Sequence, residues 1–509
     1  MTALPGTTLP AAVLSEAAGR EPVLGEAVLP GLSVPTPAYD RRAVVPSVVH
    51  LGVGNFHRSH QAVVLDRVLA AGDLGWGVCG VGLLPGDAGT IASLQAQDGL
   101  YTLVTVEPDG SPQARVVGSL VDVRLAPEDP AAVLERLADP VTRIVTLTIT
   151  EGGYGVDDAT GQFRPDDPLI LADLDGGAAP RSAVGYLVEA LRLRRDRGTG
   201  PFTVVSCDNL QGNGQVARTA VLGLARARDP ELAGWIAASV PFPSSMVDRI
   251  TPATTDADRA LVRESAGVED RCPVRSESYL QWVLEDDFAA GRPDLGRAGV
   301  QLVEDVAPYE LMKLRLLNAS HQAIGYLGLL AGYEHVHEVC RDPGLAGFLR
   351  RYMDREARPT LAPVPGVDLD DYCTSLLTRF SGDALADTLR RQVVDGSERL
   401  AKFLVPVLRD QLAAGGDITC CATVLAAWGR HLDRHLEPGA EELPDRRAAE
   451  LLELAARERH APGALLDLVP VFGGVGAHPR LRTAYTKARH ALEHEGARDV
   501  AARLGAADD

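Results

Sequence analysis

From about residue 44 to 303, short apolar runs alternate with stretches of helical spacing. SVVHLGVG is an apolar run that closes in glycines, and RSHQAVVLDRVLAAG follows with apolar positions three and four apart and a glycine stop. WGVCGVGLL reads as a second buried strand, and ARVVGSLVDVRLA carries strand alternation. PAAVLERLADP is a helix opened by Pro130, RIVTLTIT a strand too apolar for a sheet edge, and SAVGYLVEALRLRRDRG a long amphipathic helix leading to the strand PFTVVSCDN. This alternation predicts an α/β unit built on a mostly parallel, doubly wound sheet. Past residue 303 strand-like runs almost vanish. Helical periodicity takes over from YELMKLRLLNASHQAIGYLGLLAG onward, broken at LAPVPGVDL and LEPGAEELPD. The expected division is therefore residues 1–303, α/β, and 304–509, mostly α-helical. Residues 1–43, rich in Pro, Gly and Ala, read as a lead-in wrapping the first domain, and ARLGAADD at the end is expected to fray.

Composition narrows the function. The chain has 509 residues, 46% hydrophobic and 23% charged, which excludes a disordered, fibrous or disulfide-stapled protein. A net charge of −19 argues against nucleic acid as a partner, because phosphate binding needs a basic footprint. Seven cysteines with no C-x-x-C pair fit a reducing cytoplasm and suggest neither a zinc site nor a disulfide framework. No basic segment precedes an apolar run at the N terminus, so no secretory signal is expected. The uncharged stretch Leu316–Tyr333 contains Asn318, Ser320, His321 and Gln322, and reads as a buried helix rather than a membrane span. A cytoplasmic location is expected. Of the 50 basic residues only Lys313, Lys402 and Lys487 are lysine. Arginine holds its proton at any working pH, so each lysine is worth examining as a base.

Three clusters could carry chemistry. In HLGVGNFHRSHQ, Gly52 and Gly54 stand where a strand turns into a helix; this suits a dinucleotide pyrophosphate or an ordinary tight turn. His57 occupies the third glycine position of the G-x-G-x-x-G pattern. Asp87, after the second strand, is placed to hold ribose hydroxyls or simply to close a turn. His57, Arg58 and His60 would need a third ligand to bind metal, so packing and capping are the favoured roles. The second cluster is YELMKLRLLNASH. With Glu310 at 0° and about 100° per residue, Lys313 falls at about 300°, His321 at about 20° and Asn318 at about 80°. Met312, Leu316, Ala319 and Ala323 take the opposite face, so one side packs and the other gathers a base, an amide and an imidazole. The third follows the strand TVVSC: Cys207, Asp208, Asn209, Gly212, Asn213 and Gly214. Strand ends of a parallel sheet line the ligand crevice, so Asn209 faces a substrate or belongs to a turn.

These residues resemble the long-chain polyol-specific dehydrogenases. The likeness runs from about residue 44 past 490 through HLGVGNFHRSHQ, TLTITEGGY, SCDNLQGNG, SMVDRITP, QWVLEDDF, YELMKLRLLNASH and VDGSERLAKF. It implies an N-terminal Rossmann-type domain, a mostly helical C-terminal domain, an active site between them, NAD as cofactor and no metal. The reaction implied is reversible NAD-dependent oxidation of D-mannitol to D-fructose, with D-arabinitol 4-dehydrogenase and fructuronate reductase activities as alternatives within the family. By the resemblance Lys313 is the general base, Asn209 and Asn318 stabilise the alkoxide, His321 positions the substrate oxygen and Glu310 relays the proton. Asp248, Arg391 and Arg399 fall where polyol hydroxyls are held. The cofactor set is Gly52, Val53, Gly54, Asn55, Phe56 and His57 of the turn, with Asp87. Arg399 stands where the family usually has lysine, and Gly86 where a glutamate is frequent. Members are often monomeric, so a monomer acting on a small polyol or ketose, with neither membrane nor nucleic acid, is the expectation.

Overall fold

The computed structural model describes residues 21–157, 160–383, 387–458 and 460–506. Eleven strands are present among them: β1 (Val48–Leu51), β2 (Val78–Gly82), β3 (Tyr101–Val106), β4 (Pro112–Val117), β5 (Leu120–Leu125), β6 (Ile144–Leu147), β7 (Thr203–Ser206), β8 (Ser245–Asp248), β9 (Val274–Glu277), β10 (Gln281–Glu285) and β11 (Gln301–Val303). Five form the expected parallel sheet, in the order β5-β2-β1-β6-β7. Strands β1, β2, β6 and β7 are buried along their whole length, because helices cover both faces. Val49 and Leu51 pack with Val133, Leu187 and Val221, while Val48 packs with Val64, Ile91 and Leu94 on the other side. The chain runs from β1 outward to β2 and β5, then crosses back to β6. The C-terminal ends of β1 and β6 therefore open a crevice at the switch in strand order.

The alternation did not reveal two smaller sheets, β4-β3-β9 and β11-β10-β8, each with one antiparallel pair. ARVVGSLVDVRLA proves to be two strands, β4 and β5, in different sheets. The chain breaks at Gly118, whose N–H donates to Asp66 at 3.0 Å and where a Cβ would lie 2.5 Å from Pro37. Alternation reports which face is apolar, not which sheet a strand joins.

Two further expectations are corrected. Of ARLGAADD, expected to fray, the helix Ala497–Gly505 carries ARLG in regular structure, where a Cβ on Gly505 would fall 2.7 Å from the Phe348 nitrogen, while residues 507–509 lie outside the described residues. The first helix is split at His60 into Asn55–Ser59 and Gln61–Ala70. Of the lead-in, residues 1–20 lie outside the described residues. Beyond them Arg41 anchors the segment, donating to the carbonyls of Gly118, Asp98 and Leu120 and pairing with Glu26.

From Ala307 onward helices close around one core, to which Met312, Leu316, Ala319 and Ala323 contribute as the helical wheel requires. Met246 of β8 and Val283 of β10 join that core, so the helical unit packs directly on the β8–β11 sheet. No described helix is long and apolar enough to cross a membrane.

Candidate active site

The helix holding Lys313 is not uniformly α. Residues Lys313–Asn318 form a π turn between the helices Ala307–Met312 and Ala319–Ala331, and the Ala319 N–H bonds the Leu314 carbonyl five residues back. The wider turn changes the phase between Lys313 and Asn318 from that of a straight wheel. The Tyr352 hydroxyl donates to the Arg315 carbonyl at 2.8 Å and supports the segment.

Lys313 is buried, and its Nζ donates to Asn209 Oδ1 and to the Val247 carbonyl, both at 2.7 Å. A lysine can only donate, so the Asn209 oxygen must face it and the amide NH₂ is left for other partners. Burial lowers the Lys313 pKa from the ordinary lysine value; Asp248 opposes the fall, Arg379 assists it, and Glu310 opposes it. Glu310 accepts the Gly212 N–H at 3.1 and 3.0 Å, and burial pushes its carboxyl up to about 7.

The segment after β7 is mainly scaffold. Asp208 accepts the N–H groups of Ile149 and Thr150 and the Tyr154 hydroxyl, fixing the end of β6. Asn213 ties the Asp208 carbonyl to Ser245 of β8. Gly212 takes the left-handed conformation (φ +60°), which turns its N–H to Glu310. Asn209 is thereby held at the mouth of the crevice.

Asn209, Asn318 and His321 line one cavity of about 1240 Å³, together with the Thr150–Gly152 segment, Arg399 and Lys402. Asn318 Nδ2 and His321 Nε2 are buried with no hydrogen-bond partner in the protein. Burial lowers the His321 pKa to about 4, which keeps the ring neutral at working pH. Lys313 and Glu310 border a separate void of about 20 Å³, with room for about one water. Asn209 belongs to both spaces.

The other two polyol-contact candidates are placed differently. Asp248 is buried and paired with Arg379 at 2.8 Å. Arg391 is half exposed, bonded to Asp387 on its own turn, and is absent from the cavity lining. Arg399 does line the cavity. It donates to the Gln392 carbonyl at 3.1 Å and has no carboxylate partner among the described residues. The sequence reading missed Arg379, although it lies on the same stripe of its helix as Tyr372 and Leu376. An arginine on an apolar stripe was the available signal.

At the glycine turn the side chains are committed to the protein. Val53 packs against Gly80, and Asn55 donates to the Pro252 carbonyl and Thr254 and accepts from Arg58. Phe56 stacks on His60. The His57 side chain is fully buried and stacked 3.4 Å from His50, and neither ring nitrogen has a hydrogen-bond partner among the described residues. Arg58 bonds the Cys272 carbonyl. What remains for a cofactor is backbone. Gly52 has φ +101° and a Cβ there would lie 2.1 Å from the Thr148 carbonyl oxygen, whereas the Cβ position of Gly54 faces open space. The first-turn N–H groups of Asn55, Phe56 and His57 have no intrahelical carbonyl to bond. Asp87 Oδ2 accepts the N–H groups of Leu83 and Leu84 at 2.8 and 2.9 Å, so this carboxylate also builds the turn after β2. The arrangement fits a dinucleotide held by main-chain donors. No group of three or more His, Cys, Asp or Glu among the described residues is placed to hold a metal ion.

Comparison with known proteins agrees with this layout. Residues 46–297 match the mannitol dehydrogenase Rossmann domain and residues 305–493 the mannitol dehydrogenase C-terminal domain. Mannitol 2-dehydrogenase of Cereibacter sphaeroides is 44% identical over 477 residues, covering 93% of this chain and 99% of the relative. D-mannonate oxidoreductase of Escherichia coli K12 is 41% identical over 480 residues, 93% of this chain and 98% of that one. The ternary complex of Pseudomonas fluorescens mannitol 2-dehydrogenase with NAD and D-mannitol superposes with a TM-score of 0.86 at 41% identity, covering 94% and 99% of the two chains.

Proposed function

Because this chain belongs to the mannitol dehydrogenase family, we propose that it catalyses reversible NAD-dependent oxidation of D-mannitol to D-fructose, with Lys313 as general base and without metal. In this reading residues 1–303 bind the cofactor, through Gly52–Gly54, the helix start behind them and Asp87, and residues 304–509 supply the base. Bound NAD provides the hydride acceptor. The observation that carries the reading is the bond from Lys313 to the Asn209 oxygen, which leaves the Asn209 amide for the cavity that Asn318 and His321 border with unpartnered nitrogens.

Each residue then has a defined task. Hydride cannot leave a secondary alcohol unless its hydroxyl proton also leaves, so a neutral amine within reach lowers the barrier. Lys313, whose pKa burial lowers from the ordinary lysine value, takes that proton. The amides of Asn209 and Asn318 donate to the developing alkoxide, each contributing about 10²–10³ in rate. His321, neutral, orients the same oxygen through Nε2. Glu310, close to half-ionised near pH 7, passes the proton onward beside the small void.

The test is an initial-rate panel of mannitol, arabinitol, sorbitol, fructose and fructuronate with NAD(H) and NADP(H). D-mannitol and D-fructose with NAD(H) are expected to give the highest kcat/KM. Should no polyol or ketose turn over, the substrate assignment fails. One observation favours a second reading, fructuronate reduction: Arg399 faces the cavity without a carboxylate partner, as a sugar-acid site requires. Fructuronate outrunning fructose would select it.

A further inference from the structure

Arg379 takes no part in the chemistry above, yet it sits in the wall behind the candidate base. Its side chain is 7% exposed. Nη1 donates to Asp248 Oδ2 at 2.8 Å, Nε and Nη2 grip Glu277 at 2.9 and 2.7 Å, and the guanidinium lies 3.9 Å over the Tyr279 ring. One helix of the second unit, Leu369–Phe380, thus clamps the ends of β8 and β9 of the first. A buried ion network of this kind is weak evidence for stability, since desolvation offsets most of the coulombic gain. Its position suggests a different use. Lys313 Nζ bonds the carbonyl of Val247, the residue before Asp248, and the charges of the Asp248 carboxylate and the amine act on each other. Asp248 favours the ammonium form of Lys313, and Arg379 the free amine.

We propose that Arg379 is a positioning residue for Lys313: by pairing with Asp248 and Glu277 it fixes Asp248 beside the amine and offsets the charge the amine feels. The inference rests on the reading of Lys313 as the base. The charged and titratable groups around Lys313 come from four sides. Glu310 lies on its own helix, Asp248 on β8 and Arg379 on Leu369–Phe380, while the buried and neutral His60 approaches from the first domain. Asp248, held below the usual carboxylate range by Arg379 and Lys313 against the cost of burial, stays an anion. Neutralising Arg379 leaves that anion uncompensated and favours the ammonium; neutralising Glu277 leaves Arg379 less balanced and favours the free amine.

Three lysines make a direct test practical. The full chain labelled with [13Cε]lysine yields three signals, and Lys313→Arg assigns one of them. In a pH titration, Arg379→Gln is expected to raise the Lys313 midpoint by about one pH unit. Glu277→Gln is expected to lower it, and Arg379→Lys to leave it near the wild-type value. The acid limb of polyol oxidation follows the same order. An unmoved Lys313 midpoint in folded Arg379→Gln, or shifts of one sign in Arg379→Gln and Glu277→Gln, overturns the proposal. If Arg379→Gln does not fold, the decision passes to Glu277→Gln, where a midpoint that fails to fall overturns it. Midpoints that move as expected in a protein that oxidises no polyol leave the coupling standing and remove the base reading instead.

Discussion

The turn at Gly52–Ser59 and the helix around Lys313 both border the crevice, and they treat their side chains in opposite ways. At the turn every candidate side chain is engaged inside the protein: His57 against His50, Asn55 with Thr254, Arg58 with Cys272. The His57 ring nitrogens are unpaired too, but they are sealed inside the protein, and the groups left for a ligand are main-chain. On the Lys313 helix, Asn318 Nδ2 and His321 Nε2 are buried and unpaired, and Lys313 spends its bonds on orienting another candidate residue. A phosphate can be held by N–H groups that any sequence carries, so side chains there are free to stabilise the fold. Stabilising an alkoxide needs amides at fixed places, and their idle state costs stability.

This contrast makes the two regions respond differently to substitution. Lys313→Arg keeps the positive charge but removes the proposed base, and oxidation is expected to fall by about 10²–10⁴ with the thermal midpoint little changed; initial rates beside a thermal melt decide it. Near-wild-type oxidation would end the assignment. Asn318→Ala should cost about 10²–10³ in kcat while stability holds or rises, because a buried unpaired amide is removed. A large loss of stability in that variant would mean the amide is structural after all. Gly52→Ala should behave in reverse, losing about 1–3 kcal/mol of stability through its positive φ and the Thr148 carbonyl, as read by denaturant unfolding.

The smallest effect concerns pH. Glu310 has a folded-state pKa near 7, above the ordinary glutamate value, so its folded environment favours the protonated form. The resulting stability is complete below the unfolded pKa and is lost as pH rises through 7. Glu310→Gln should therefore flatten the decline in thermal midpoint between pH 5 and pH 8. Parallel curves for wild type and variant would show that Glu310 is not the group responsible.

Much of this was legible without coordinates. Uniformly apolar runs such as SVVH and RIVTL require a sheet covered on both faces, and that sheet is present. The apolar stripe of Met312, Leu316, Ala319 and Ala323 required the opposite face to hold Lys313 and His321. The smaller sheets were not legible, since each is completed by strands that are not consecutive in sequence, β3 with β9 and β8 with β10. The π turn was not legible either. The Tyr352 hydroxyl that bonds its Arg315 carbonyl comes from another segment, which no local periodicity reports.

The sequence by itself determined the alternation that builds the parallel sheet, the helical second half, the glycines at the β1 turn, and the rarity of lysine that drew attention to Lys313. It did so because burial patterns and residue chemistry are local properties of the chain. Tertiary structure alone decided which polar atoms are spent and which are spare. His57 stacks on His50, Asp87 closes its own turn, Arg391 pairs with Asp387, and Arg379 pairs with Asp248 near Lys313. Whether a side chain is free to act depends on hydrogen-bond partners brought from tens or hundreds of residues away, and only the folded chain assembles them.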